Sequence, residues 1–155
     1  MRDGYMRSDP RFAAWQQGVR NAPEDNDPEL RPWLALVAEL VGRGVAVRRA
    51  RVVSEPVSDY IEFEHHTTDA NVTAGEQVRW LPRRRASDLA LPGNDFWVLD
   101  HRVVVFHHFD GDGELAPEDE EVIEDWDIVR MCTSAFGDVW KRATPHDEYR
   151  LSRHG

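Results

Sequence analysis

Apolar residues recur along the chain with two periods, one helical and one alternating, and the order in which these periods follow one another predicts the elements. From Asp27 onward, Leu30, Trp33, Leu34, Val37, Leu40 and Val41 fall at helical spacing. Asp27 is suited to the cap, Pro28 to a first turn, and Gly42 and Gly44 to a stop, so a helix is predicted over 28–43. Residues 45–53, VAVRRARVV, alternate Val with Ala or Arg, as does a strand with one wet or ligand-facing side. Ser54 is placed to cap, and Pro56 to open, a second helix through Val57, Tyr60, Ile61, Glu64 and Thr68 toward Gly75. A second strand, 77–81, ends at Pro82, and the breaker-rich loop PRRRASDLALPGN follows. Two further apolar runs, 95–99 and 102–109, joined at Asp100-His101, read as a hairpin, and Gly111 and Gly113 mark the next turn. The chain then becomes acidic before a last helix over 125–143. There Ile128, Val129, Cys132, Ala135, Phe136, Val139, Trp140 and Ala143 recur at near-ideal amphipathic spacing.

The order helix, strand, helix, strand, hairpin, helix predicts an α/β (α+β) fold. Its expected form is a central mixed sheet holding 45–53, 77–81 and the hairpin, flanked by amphipathic helices. The 155 residues, 41% of them hydrophobic, suffice for one core, so a single domain is expected over 1–155. Residues 1–27 are mixed in composition and read as a peripheral N-terminal segment, in which the Phe12 to Trp15 patch is suited to a short docked helix.

Charge narrows the function classes. A formal net charge of -10 argues against coating nucleic acid directly, which requires a cationic field to displace counterions. The charge is also polarised. Ten Asp and Glu lie between Asp110 and Asp127 with no Lys or Arg among them, whereas arginines gather at 43, 48, 49, 51, 79 and 83–85. One cysteine precludes an internal disulfide, and no run is long and apolar enough for a leader or a bilayer span. A soluble cytoplasmic protein with no membrane association is the expectation.

Candidate chemistry centres on the arginines. Arg49 and Arg51 share a strand face and, with Arg79 of the next strand, are candidates for a guanidinium surface for a small anionic ligand. Asp59, Glu62 and Glu64 on the intervening helix offer the alternative of an internal ion-pair network. Arg83, Arg84 and Arg85 repel one another, with Asp88 the nearest acid, and are expected to face outward. Trp80 and Trp97 border this loop as candidate aromatic walls, and Asp95 and Asp100 complete the ligand-binding candidates. The other tryptophans, including Trp126 and Trp140, fall on predicted core faces.

Glu62, His65 and His66 have ligand-like spacing but no second half-shell, and His107 and His108 must point to opposite faces of their strand. No metal site and no cofactor are predicted. The DGDGE run at 110–114 has Leu115 where a calcium loop needs glycine, so a polar hairpin turn followed by a solvated acidic face is expected. Cys132, on an apolar helix face, is expected to be buried and structural.

The words RVVSEPVSDYI, FEH, AGEQVRWLPRR, LPGNDFW and AFGDVWKRATPHDEY, spread over roughly positions 5–149, carry a resemblance. The chain resembles a family of uncharacterised actinobacterial proteins, a domain of unknown function often encoded beside helix-turn-helix regulators of the Xre type. The resemblance implies a regulatory setting and supplies no catalytic residue. The chain is more weakly similar to a phospholipase D-like half-domain, whose H-x-K-x-x-x-x-D motif would put Gly93 at the His, Asp95 at the Lys and Asp100 at the Asp. A glycine cannot attack phosphorus and a carboxylate repels phosphate, so that likeness implies lost catalysis.

The reading that follows is a non-enzymatic regulatory or interaction domain, partnered by a helix-turn-helix regulator, another protein or a small anionic ligand. Two alternatives stand beside it. One is a diverged phosphate- or phosphodiester-handling enzyme using the arginine loop with Asp95, Asp100 or His101. The other is an acidic, antitoxin-like partner presenting 110–127 to a basic surface.

Overall fold

Strand β1, Arg48–Val53, turns Ala50 and Val52 to one side and Arg49, Arg51 and Val53 to the other, and this alternation assigns a helix to each side of the first sheet. The computed structural model describes residues 3–6, 8–20, 27 and 29–152. Among these, α1 is Pro10–Gln16, α2 Pro32–Gly42, α3 Asp59–Thr73 and β2 Gln77–Pro82. A 3-10 turn, Arg83–Ala86, leads to β3 Asp95–Leu99, β4 Val103–Phe109, β5 Leu115–Ile123, α4 Trp126–Arg142 and β6 Thr144–Pro145.

The class is the mixed α+β one that the sequence predicts, but the strands form two three-stranded sheets instead of one central sheet. In the first, β1 runs parallel to β2 across the α3 crossover, and β6 adds antiparallel to β2. In the second, β3, β4 and β5 form an antiparallel meander. Parallel pairing demands a crossover helix and a hairpin does not, so each connection pairs its own neighbours. The long loop after β2 lets the second set of strands leave the first.

Helix α4 serves both sheets. Its N-terminal half sets Val129 and Cys132 against Val104, with Phe96, Val98, Phe106 and Ile123 around them. Its C-terminal half sets Val139 and Ala143 against Val52 and Leu81 of the first sheet. The other face of the first sheet packs Val53, Val78 and Trp80 against Ile61 of α3 and Tyr149. Cys132 is buried, and burial pushes its thiol pKa up.

Four local features differ from the expectations. Helix α3 is capped by Ser58, not Ser54: its side chain accepts from the Ile61 N–H, while Pro56 lies in the preceding turn after a cis bond to Glu55. Helix α2 begins at Pro32, and Pro28 lies outside the described residues. The acidic stretch is strand β5. It lies at a sheet edge and pairs with β4 alone, so its carboxylates alternate into water without a burial cost, and their low strand propensity hides the element. Trp126 is 68% exposed and outside the core, because it opens α4 before the helix meets the second sheet.

The described part of the N-terminal segment is a strap that carries the short docked helix expected around Phe12 to Trp15. Asp9 caps α1, and Phe12 is buried against Tyr60 and Phe63. Asp3 accepts from the Ser54 backbone and hydroxyl, the Tyr5 hydroxyl donates to Asp95 at 2.6 Å, and Ser8 donates to Glu114. Residues 3–16 thereby touch both sheets. The hairpin turn is where expected, with Asp100 and His101 both at positive φ, as a two-residue turn between right-twisted strands requires.

Leu81, fully buried between β2 and α4, and Trp126 provide opposite tests of this packing. Leu81→Ala should cost about 2–5 kcal/mol in urea unfolding. Trp126→Ala should stay within about 0.5 kcal/mol of wild type; a cost equal to that of Leu81→Ala would place Trp126 in a core.

Candidate functional site

The side of β1 that carries Arg49 and Arg51 opens into a cleft of about 380 Å³ between α2, α3 and the strap. Strand alternation supplies these two arginines, α1 adds Arg11, and Arg31 enters from the start of α2. The walls are completed by Trp33, Glu64, Thr67, Thr68 and Asn71.

Each guanidinium has a defined partner. Arg49 Nε donates to Glu76 Oε1 at 2.5 Å, and Arg51 pairs with Glu64. Arg11 pairs with Asp9 at 3.0 Å. Arg31 donates to Asn71 Oδ1 at 2.9 Å and to the Thr67 carbonyl. Below the cleft, the buried Glu76 carboxylate also accepts from Trp33 Nε1 at 2.9 Å and Asn71 Nδ2 at 2.7 Å. Burial opposes its charge, but Arg49 and these hydrogen bonds outweigh that and hold its pKa below the usual carboxylate range. Arg49 continues the chain of contacts, lying 5.4 Å from the Trp33 ring and 5.2 Å from the Trp97 ring of β3. Of the internal network weighed from sequence the Arg51–Glu64 pair is present, while the acid that meets Arg49 is Glu76, which is not among the acids of that network.

The other expected site residues disperse. Arg79 shares a face with Ala50, not with Arg51, so it lies on the α4 side, 4.4 Å over the Trp140 ring and donating to the Trp140 carbonyl. Trp80 is completely buried and donates to His146 Nδ1 at 3.0 Å, so it walls no pocket. Trp97 is half-buried against Trp33, with ring centroids 5.0 Å apart.

The arginine loop splits. Arg83 does not face outward freely: it donates to Ser54 Oγ and the Val52 carbonyl and pairs with Asp3, an acid eighty positions away that no local count includes. Burial works against the Asp3 charge, yet Ser54 and Arg83 hold its carboxyl below the ordinary range. Arg84 and Arg85 are exposed as expected, Arg85 donating to the Arg142 carbonyl, while Arg142 forks onto Asp88. Asp95 is held by Tyr5, Asp100 sits at the exposed hairpin tip, and Gly93 is exposed in the preceding loop.

The histidines take separate places. His66 packs on Trp15, and His65 packs 4.5 Å from the His146 ring and beside Trp80. Because the indole can only donate, His146 Nδ1 accepts and its Nε2–H donates to Asp69 at 2.8 Å. His107 lies opposite Asp95 and Glu120, while His108 reaches Glu121 at 3.1 Å on the other face. No group of three or more His, Cys, Asp or Glu side chains among the described residues is placed to hold a metal ion.

A second surface lies on the side of the β3–β4–β5 meander away from α4. Register puts Trp97, Val105 and Val122 in one row across the three strands, with Leu99 opposite Val103 beside it. Val122 is 63% and Leu99 49% exposed, and the flanking Asp100, Glu120 and Glu124 are exposed acids.

The two sheets, joined by α4 and the strap, define a mixed α+β fold. The chain belongs to the family described as Domain of unknown function (DUF6879), whose sequence profile matches residues 1–151. No curated protein and no solved structure matches the chain. Among the described residues no helix is long and apolar enough to cross a membrane.

Two predictions come from these networks. Glu76→Ala leaves the half-buried Arg49 without its counter-charge and the Trp33 and Asn71 donors without an acceptor, and should cost about 3 kcal/mol in denaturant unfolding, whereas a Glu76→Met, Arg49→Met double variant should recover much of that loss. A double variant as unstable as the single one would mean the pair itself carries the stability. The second concerns His65, whose pKa burial and the adjacent His146 lower to about 4. Its unfolded form binds more protons between about pH 6.5 and 4, so its contribution to stability is complete above 6.5 and is lost as pH falls to 4. Melting temperatures measured across this window should fall less steeply for His65→Gln than for wild type; parallel profiles would exclude His65 as the group responsible.

Proposed function

We propose that this domain is a non-enzymatic regulatory interaction module of the cytoplasm that docks a helix-turn-helix regulator on the open face of its β3–β4–β5 sheet. The row Trp97, Val105, Val122, with Leu99 beside it, carries this reading. An apolar sheet face this exposed and rimmed by charge is the signature of a recognition surface, because folding alone gives no reason to leave Val122 and Leu99 in water. The acidic rim suits the basic surface with which a DNA-binding partner meets phosphate. The family setting suggested by the sequence words points to the same class of partner. In this reading the arginines near the core act in structure and ligand recognition, not in turnover.

The test is calorimetric titration with a purified helix-turn-helix regulator of the Xre type, the class of partner the resemblance implies. Val122→Glu and Leu99→Glu, both at exposed positions, should leave the fold intact and weaken binding at least about tenfold, as hot-spot losses do. Neutralising Glu120 and Glu124 should flatten the salt dependence of association. Wild-type affinity in both apolar variants, or no complex at about 100 µM, a concentration at which even weak specific pairs associate, would overturn the reading.

A further inference from the structure

We infer that the cleft between α1, α2, α3 and β1 is a binding site for an oxyanion, phosphate or carboxylate, carried on a small apolar body. This is independent of the sheet-face reading and rests on separate residues. The volume of about 380 Å³ is that of a small-ligand site and exceeds by roughly tenfold the share of one water. Its chemistry is that of anion recognition, because Arg11, Arg49 and Arg51 come to one concavity from two elements far apart in sequence.

Two of these guanidinium groups have hydrogen-bonding capacity left over. Arg51 gives Nη2 to Glu64, but its Nε is buried with no acceptor. Arg11 gives Nη2 to Asp9, but its Nη1 is likewise buried with no acceptor. A charged donor without an acceptor is costly, and an oxyanion in the cleft, which both arginines line, would supply acceptors to their guanidinium groups. Glu64 is the one carboxylate in the lining. Its charge is balanced by Arg51, and its other oxygen accepts from the Tyr60 hydroxyl at 3.1 Å, so the site's acid is already engaged.

The cleft is also asymmetric. Leu30, Pro32 and the Trp33 ring form an apolar lip beside the arginines. Trp33 has its N–H committed to Glu76, which leaves the indole to act as a wall. A bare ion would leave this lip wet. An anion attached to a small hydrocarbon or flat ring would use both halves, and the three-residue lip then sets which anions are preferred.

The experiment is isothermal calorimetry of the full chain with inorganic phosphate, phenyl phosphate and benzoate at fixed ionic strength. Saturable one-to-one binding is expected, with the ring-bearing anions tighter than inorganic phosphate. Phenyl phosphate above benzoate assigns a phosphate ester as the natural class, and the reverse order assigns a carboxylate. Arg51→Gln should weaken binding at least about tenfold, and Arg11→Gln, on the strap, provides a second variant should loss of Arg51 disturb the fold. Arg84→Gln, an exposed arginine outside the cleft, should bind as wild type and separates local recognition from overall charge. No saturable binding of any of the three anions up to about 10 mM, or equal affinity in wild type, Arg51→Gln and Arg11→Gln, overturns the proposal.

Discussion

A single buried carboxylate holds the elements around the cleft in place. Glu76 sits at the entry to β2 with no exposed side-chain surface, and placing a charge there costs several kcal/mol unless every oxygen is met. Three elements supply the donors: Trp33 from α2, Asn71 from the end of α3, and Arg49 from β1. Each donor fixes the position of the element that carries it. Arg49 is half-buried, and burial together with repulsion from Arg51 lowers its pKa, a shift that Glu76 opposes. The carboxylate and the guanidinium are therefore each tolerable only because the other is present.

From this pair the arrangement of the remaining parts follows. Arg49 lies against both Trp33 and Trp97, which brings the second sheet to the first on the side opposite α4. Helix α4 joins the sheets from the other side with apolar contacts, supplemented by Arg79, which lies over the Trp140 ring and donates to the Trp140 carbonyl. The strap adds a third connection through Asp3, Tyr5 and Ser8. Two sheets that share no strand are thus tied by a helix, a cation-aromatic stack and an N-terminal segment, and the last of these also brings Arg11 to the cleft.

What the sequence reveals and what it hides divide along the range of the interactions. The α4 periodicity, the 95–109 hairpin, the end of β1 and the bounds of β2 depend on residues within one element and are legible from it, whereas β1 begins at Arg48 and not at residue 45 as the alternation predicts. Arg49 and Arg51 are recognisable as a facing pair for the same reason. Arg11, Arg31 and Glu76 are not, because nothing near them in sequence shows that three separate segments converge on α3. Arg83 misleads for the converse reason: its neighbours suggest repulsion and exposure, while Asp3 and Ser54, both distant, bind it. Arg79 was separable only with the β1–β2 register in hand, since a shift of one residue in pairing exchanges the α3 and α4 sides. Strand β5 was hidden by composition, because an edge strand has no need of the apolar alternation by which strands are recognised.

Trp97 stands in the apolar row of the second sheet and lies against Arg49, a residue that lines the cleft, so the two surfaces are in contact through it. Contact alone does not make the two surfaces communicate. Coupling between sites requires an element with two arrangements of similar energy, each favoured by a different ligand. A second arrangement of the Trp33–Arg49–Trp97 stack is disfavoured, because moving Arg49 strips Glu76 of its counter-charge while two neutral donors remain. A network so completely engaged resists population shift. The physics therefore favours a rigid junction between the cleft and the open sheet face, across which a local change on one side is not passed to the other.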